Sequence, residues 1–522
     1  MMGRPFSFSC LFGLLLLSCS LGDGGTVRFQ RLDLGGWAEF GVFSADVDGD
    51  GMKDILTFGR GRIAIFRAQK GTPPTYPAMP EELRTGTTGY FADVADVLPA
   101  PGKEIVLLTP AGVTAYAQKD GRYEAIPTLL LKCETLLTTQ ATRGAVATNI
   151  FGTVKVLPWN FAFDANGDGR DDLIIPHGGG TDVRLQTAPG QFGDRMTLPI
   201  LPVVYNRAPV RGGAKYLGGL KAQSVTIELF VRELEARDVN GDGKRDLIWG
   251  SWWFAQKIDG TYDPAPAELP IEQREVRGME NQVLVDIDGN GQKDRIEAEH
   301  SFDDPLNVKS LVRYWLADAD GNMKTDPHGT IAGPNILVHM PNVPVHDFNG
   351  DGKQDFVLFR TDLSAAQVTK WIRQAFGKID GKLNFFLFDA KSGRFPTRPS
   401  VTKSVNINFK LPLNEVIAGF VWIRYLGTMM RFEGDFNADG KVDLLIRDEN
   451  TRISIYHNTG GRDMFASRPS IQIDETPMFA GMDLDDLNGD GASDLILYSG
   501  FDSMQADART GHVIAVYISQ LQ

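Results

Sequence analysis

"DVDGDGMKD", residues 46–54, places four aspartates within nine positions and spaces them with glycines. Carboxylates held this close repel one another, so the stretch calls either for a cation among them or for a mobile, solvated turn. The same pattern returns as "DANGDGRDD" (164–172), "DVNGDGKRD" (238–246), "DIDGNGQKD" (286–294), "DFNGDGKQD" (347–355), "DFNADGKVD" (435–443) and "DLNGDGASD" (486–494). Positions 1 and 9 are always Asp, positions 3 and 5 are Asp or Asn, and position 6 is always Gly, whereas positions 7 and 8 vary freely. Asp, Asn and Gly form turns on their own propensities. That alone does not account for seven copies with the same acidic positions, and internal repetition of this kind marks a repeat architecture.

Calcium takes six to eight hard oxygen ligands, and glycines at positions 4 and 6 permit the left-handed turns that curl a chain around it. Magnesium would demand a stricter octahedron with more water, so calcium is the expected ion, in about seven sites. The candidate ligands are the side chains at positions 1, 3, 5 and 9, with the variable position 7 offering its carbonyl. In the first loop these are Asp46, Asp48, Asp50 and Asp54; in the second, Asp164, Asn166, Asp168 and Asp172. The third loop has Asp238, Asn240, Asp242 and Asp246, and the fourth Asp286, Asp288, Asn290 and Asp294. The fifth has Asp347, Asn349, Asp351 and Asp355, and the sixth Asp435, Asn437, Asp439 and Asp443. Asp486, Asn488, Asp490 and Asp494 complete the series. An EF-hand would need Glu at position 12 and flanking helices. Only Glu297 satisfies the first condition, and the loops run instead into apolar stretches such as "ILTF", "LIIP" and "LLIR", which read as buried strands.

The chain has 522 residues and a formal net charge of -13, with 42% hydrophobic and 10% aromatic content, a globular balance. Its acidity argues against nucleic acid as a partner. Seven divalent ions would add a charge of about +14 and nearly neutralise it. "MMGRPFSFSCLFGLLLLSCS" opens with one arginine and an apolar run from Phe6 to Leu17, too short to span a bilayer, so residues 1–18 read as an export signal. "LLSC" (16–19) resembles the lipobox of bacterial lipoproteins, with Cys19 as the lipidated residue; plain cleavage is the alternative. Residues 19–25 would then be a short linker. With Cys19 lipidated, Cys133 has no disulfide partner, and something other than disulfides must rigidify an exported chain so rich in turns.

Around each loop the sequence reads as four short strands, with a glycine-bearing hairpin such as "KDGRYEAIP", "KIDGTYDPA" or "KSGRFPTRP" between the third and fourth. Eight such units can be counted. The second carries Pro99, Ala100 and Pro101 where ligands belong, so no ion is expected there. The last unit stops after its third strand (512–520), while residues 26–34 form an unassigned strand at the other end. A sheet system that closes on itself would use that strand as the missing fourth one, which is how a propeller avoids open edges.

These repeats resemble the FG-GAP/VCBS family, the calcium-loop repeats of the integrin alpha-chain propeller and of many exported bacterial proteins. The resemblance covers nearly all of residues 26–522 and implies a single all-β propeller domain of four-stranded antiparallel blades. The "FG" element itself is clear at Phe40 and Gly41. Integrin-type propellers have seven blades with fewer calcium loops, so the eight blades expected here depart from that version; seven is the alternative.

In such a blade the calcium loop and the third-to-fourth hairpin emerge on one face. The opposite face collects the extra length, residues 134–152, 202–222, 298–308, 361–380, 410–420 and 500–511, and is the expected recognition surface. Residues 363–379 place Val368, Trp371, Ile372, Ala375 and Phe376 at helical spacing, expected to pack on the rim. Trp252 and Trp253 are expected on buried strands, and His346 on a strand beside its loop. No "HExxH", "GxSxG" or Walker-type motif is present. The reading is thus a monomeric, exported, non-catalytic binding or adhesion module for a protein or carbohydrate ligand, touching membrane only through a lipid at Cys19. The alternative is a polysaccharide lyase or hydrolase on a calcium-stabilised propeller, and a third is a plain spacer.

Overall fold

The computed structural model describes residues 16–17, 27–135, 157–200, 203–209, 225–268, 279–301, 309–334, 344–361, 378–408, 430–498 and 514–521, apart from 37, 39–41, 60, 87–90, 232–233, 250–251, 320, 462 and 478–479. The described chain is all β: no helix occurs in it, and none is long and apolar enough to cross a membrane. Phe40 and Gly41 lie outside the described residues, as do residues 363–377 of the expected helix; its last two positions open the strand Lys378–Phe386.

Four-stranded antiparallel sheets follow one another along the chain, each in sequential strand order. The first comprises Val42–Ala45, Asp54–Gly59, Arg62–Phe66 and Glu81–Arg84. The second, Phe91–Ala95 to Thr128–Leu131, gains Leu157–Pro158 as a short parallel neighbour of its first strand. Ala162–Phe163 to Met196–Leu198 make the third, Glu235–Arg237 to Ala267–Glu268 the fourth, and Met279–Val285 to Gly329–Pro334 the fifth. The sixth runs from Val345–His346 to Val401–Asn408 and the seventh from Met430–Arg431 to Ile471–Ile473; a single parallel pair, Asn408 with Glu449, joins them.

The last sheet draws on both ends of the chain. Gly481–Asp485, Asp494–Tyr498 and Ile514–Leu521 are followed, in space, by Val27–Leu34, antiparallel to Ile514–Leu521 over eight residue pairs from Val27 with Leu521 to Leu34 with Ile514. Leu16–Leu17, inside the segment read as an export signal, pairs with the outer side of Val27–Leu34.

The second strands are the apolar runs that leave the loops, and their apolar residues are buried; Asp54–Gly59 and Asp172–His177 are buried from end to end. A strand buried on both sides is sandwiched between neighbouring sheets, and the apolar clusters lie there. Val47, Leu56 and Phe58 of the first sheet pack with Ile105 and Leu107 of the second. Phe29, Leu445 and Ile455 pack with Leu495 and Tyr517 between the seventh and the last. Ile55, Ala64 and Phe66 of the first pack with Ile496, Ile514 and Val516 of the last. Phe348 of the sixth meets Phe432 and Phe465 of the seventh edge-on. Each such buried side chain contributes about 1.5–3 kcal/mol.

Of the long connections, 202–222 begins a two-stranded hairpin, Val203–Pro209 with Val225–Val231, and 298–301 belongs to the strand Asp294–Ser301. Most of the remainder lies outside the described residues. Trp252 and Trp253 do lie on a strand, Trp252–Phe254, but are only partly buried. Trp252 packs against the core of the second to fourth sheets, and Trp253 against Ile248. The buried indole of that region is Trp249, stacked at a tilt on Phe254.

Candidate metal centre

All seven nine-residue loops adopt one hydrogen-bonded cage. The position 1 carboxylate turns inward and accepts backbone N–H groups from the residues that follow it. In the first loop Asp46 Oδ1 accepts from Gly49 (2.7 Å) and Asp50 (3.2 Å), and Oδ2 from Gly51 (3.0 Å). Asp238, Asp286, Asp347 and Asp486 repeat the set, and so does Asp164. The position 5 N–H also reaches the position 3 side-chain oxygen, and the position 7 N–H reaches position 5, as in Asp50 to Asp48 (3.2 Å) and Met52 to Asp50 (2.9 Å).

The curl needs positive φ. Gly49 and Gly51 have φ of 77° and 89°, yet a Cβ at either would meet nothing within 4 Å, so glycine serves conformation here and not space. Ala438 holds position 4 of the loop at 435–443 and keeps φ at 55°. Asp435 still accepts from Asp439 and Gly440 there.

Position 9 is the opposite of the exposed tip. Asp54, Asp172, Asp246, Asp294, Asp355, Asp443 and Asp494 are each no more than 1% exposed. One oxygen accepts an N–H from the start of the loop and the other an N–H from the end of the third strand. Asp443 takes Phe436 (2.9 Å) and Asn458 (2.7 Å), and Asp54 takes Val47 (3.1 Å) and Ala68 (2.7 Å). The carboxylate thereby ties three strands together. In six of the seven, burial nevertheless disfavours the charge. The carboxyls of Asp172, Asp355, Asp443 and Asp494 are pushed up to about 7, and those of Asp54 and Asp294 to about 6, against the downward pull of these N–H bonds.

Carboxylate oxygens of Asp46, Asp48 and Asp54 lie within 4.8 Å of one another, as do those of Asp286, Asp288 and Asp294. The acid at position 5 of the first loop, Asp50, stands outside that cluster. The other five loops carry Asn at position 3, and in three of them the amide donates to the position 5 carboxylate: Asn166 to Asp168 (3.1 Å), Asn349 to Asp351 (3.0 Å) and Asn488 to Asp490 (3.0 Å). Cations from position 7 also reach position 5, with Arg170 at 2.5 Å from Asp168, Lys244 at 2.6 Å from Asp242 and Lys441 at 3.0 Å from Asp439. The donor set is all oxygen, anionic and backed by a buried carboxylate. It fits a hard divalent cation.

The second sheet lacks the loop but keeps the buried acid. Glu104, fully buried, stands where the others have Asp, and its Oε2 accepts from Val97 (2.8 Å) and Leu98 (3.0 Å), while burial pushes it up to about 7.

A second set of residues links neighbouring sheets at four of the seams and is invisible in the loop motif. Gln256 donates its backbone N–H to Asp246 (2.8 Å) and its amide to the Asn166 carbonyl (2.8 Å) in the preceding loop. Gln186 does the same towards Asp172 and Val97, and Asn458 towards Asp443 and Phe348. Gln118 donates to the Val47 carbonyl. The signal was an amide residue just ahead of the glycine hairpin, in "AQKDGRY", "LQTAPGQF", "AQKIDGTY" and "HNTGG". His346 is half-buried on its short strand, packs edge-on against Phe348, and burial lowers its pKa.

Residues 435–497 match the family model described as FG-GAP-like repeat. Among curated proteins no match is found. Among solved structures, an Agrocybe aegerita lectin that recognises non-reducing terminal N-acetylglucosamine aligns at 15% identity and a TM-score of 0.37, over 71% of this chain and 86% of its own. The V. cholerae biofilm matrix protein Bap1 aligns at 13% identity and a TM-score of 0.30, over 97% and 91%. A periplasmic gluconolactonase of Pseudomonas aeruginosa aligns at 12% and 0.25, over 84% and 97%. Similarity to known families is therefore carried by the segment 435–497, which matches an FG-GAP-like repeat within an all-β chain of successive four-stranded antiparallel sheets.

Proposed function

We propose that the chain is an exported, calcium-stabilised β-propeller of eight blades that serves as a non-catalytic binding or adhesion module. The observation that carries this reading is the sevenfold repetition of one cage around a buried carboxylate. Val27–Leu34 closes the ring as the outer strand of the last blade; its pairing with Ile514–Leu521 and the packing of Ile55 and Phe66 against Ile496 and Val516 support closure. The salt bridge of Lys53 with Asp485 (2.5 Å) crosses the same seam.

Positions 1, 3, 5 and 9 of each loop would hold the ion, which supplies the counter-charge that the buried acid lacks. The chain's own residues curl the loop, exclude water from position 9 and clamp the third strand. Extracellular calcium sites bind at about 0.1–1 mM, which suits an outside location, with Cys19 as the lipid tether. Ligand recognition is assigned to the face opposite the calcium loops.

Metal analysis of the purified mature protein, with melting curves in calcium and in EDTA, tests the metal half of this reading. About seven calcium ions per chain and a large loss of stability on chelation are expected; few ions and no shift would sink it. The binding half predicts saturable association with a polysaccharide or surface protein and no turnover of it. Release of fragments from a polysaccharide substrate would overturn the non-catalytic assignment.

A further inference from the structure

Asn-Gly occurs five times in the sequence, and every copy lies in a nine-residue loop: Asn166, Asn240, Asn349 and Asn488 at position 3, and Asn290 at position 5. This dipeptide is among the least durable in a peptide chain. The backbone nitrogen that follows asparagine attacks the side-chain amide, and glycine has no Cβ to hinder the approach. The glycine N–H loses its proton, a bond forms from that nitrogen to Cγ, and ammonia leaves. Water then opens the succinimide ring at either carbonyl, giving aspartate or isoaspartate. The five glycines concerned are exposed, so burial does not shield them.

What does hold them is the position 1 carboxylate. The Gly167, Gly241, Gly350 and Gly489 N–H groups each donate to it at 2.7 Å, and Gly291 donates at 2.9 Å. A carboxylate at this distance binds the proton that must leave and opposes the negative charge its departure would put on the nitrogen. The asparagine is fixed as well: at position 3 its Oδ1 accepts the position 5 N–H at 2.9–3.0 Å, and Asn290 accepts from Gln292 at 2.7 Å. The loop at 435–443 departs from this on both counts. Asp435 accepts from Asn437 (3.3 Å), Asp439 (3.2 Å) and Gly440 (2.7 Å) but not from position 4. There the residue after asparagine is Ala438, whose Cβ hinders ring closure. The reactive dipeptide thus stands where the carboxylate guards it and is absent where it does not.

We propose that Asn166, Asn240, Asn290, Asn349 and Asn488 are latent deamidation sites, kept intact by the position 1 carboxylate while the cage is closed and converted to aspartate and isoaspartate when it opens. The two products differ in consequence. Aspartate at position 3 is what two loops already carry, as Asp48 and Asp288, whereas isoaspartate adds a methylene to the backbone and breaks the register of the cage. Opened loops therefore do not all close again, and loss of the cage becomes irreversible with time. The inference rests on the cage itself and not on the ion proposed for it.

The test incubates the full mature chain in mildly alkaline buffer with calcium, with EDTA or with guanidinium chloride, and follows conversion of each asparagine by mass spectrometry of its peptide. In calcium all five should stay intact; in guanidinium chloride they should convert at least about tenfold faster, the scale set by a hydrogen bond to a charged acceptor. Conversion in EDTA would show that the ion keeps the cage closed. Protection in EDTA would show that the cage closes without it, which supports the proposal and counts only against the calcium reading. In calcium, Asp238→Ala should speed conversion of Asn240 about tenfold and leave the other four intact. If that variant fails to fold, all five convert together, and Asp238→Asn, which keeps an acceptor oxygen without the charge, should give a smaller rise at Asn240 alone. Equal conversion in the native and unfolded wild type, or an unchanged Asn240 in folded Asp238→Ala protein, would overturn the proposal.

Discussion

Position 9 and position 5 of one loop carry the same functional group in opposite environments, and the difference makes their roles separable by mutation. Asp443 is fully buried and holds the N–H groups of Phe436 and Asn458; Asp439 lies at the exposed tip and pairs with Lys441. Asp443→Ala strands two buried donors, so it should destabilise the protein by about 2–5 kcal/mol even in EDTA. Asp439→Ala removes an exposed ion pair, so in EDTA it should cost no more than about 0.5 kcal/mol, while lowering the calcium content by one ion. Urea denaturation of both variants with and without calcium separates the effects. Equal losses in EDTA would refute the division into a structural and a ligating acid. The position 1, 5 and 9 residues were legible in the sequence because the loop is local and repeats. The burial of Arg447 was not, since its partners, the Pro477 and Ala480 carbonyls, come from some thirty residues on.

Sheets are held to one another by the amide residues at the ends of third strands as well as by apolar packing. Gln256 reaches back 90 residues to the Asn166 carbonyl, and its Oε1 accepts the Arg245 N–H (3.0 Å). Gln256→Ala leaves both groups without partners and should cost about 1–3 kcal/mol. In hydrogen exchange the faster signals should appear at the second loop and at Arg245, with sheets far from that seam unchanged; uniform acceleration would mean global destabilisation and no clasp. Strands after the loops were readable from runs such as "LIIP", because a strand buried on both faces needs no alternation. Which sheet each amide would grasp was not readable, because side-chain reach across a seam leaves no periodic trace. Glu104 was missed for a related reason. Losing the ligand positions hid the retained acid at the ninth, and only burial against Val97 and Leu98 shows that the structural half of the motif survives without the metal half.

For the molecule as a whole, the buried acids together set an unusual pH response. Six loop carboxyls and Glu104 are pushed up to about 6–7 by burial, and Asp93, which accepts from Phe161 and Ala162, to about 7. In the unfolded chain the same groups titrate near 4. Between pH 4 and 7 the folded state therefore binds more protons than the unfolded one, and stability rises as pH falls. For the metal-free protein this predicts a melting temperature that increases from pH 8 to pH 5.5, the reverse of ordinary acid denaturation. Calcium would change the sign of the local field, favour the ionised acids and compete with protons for them. In saturating calcium the same pH decrease should lower the melting temperature and release ions. Melting curves at pH 8, 7, 6 and 5.5, in EDTA and in calcium, decide the matter. A chelated protein that loses stability on acidification would show that the N–H bonds to these carboxylates outweigh their burial, and that the ninth position does not need a cation to remain folded.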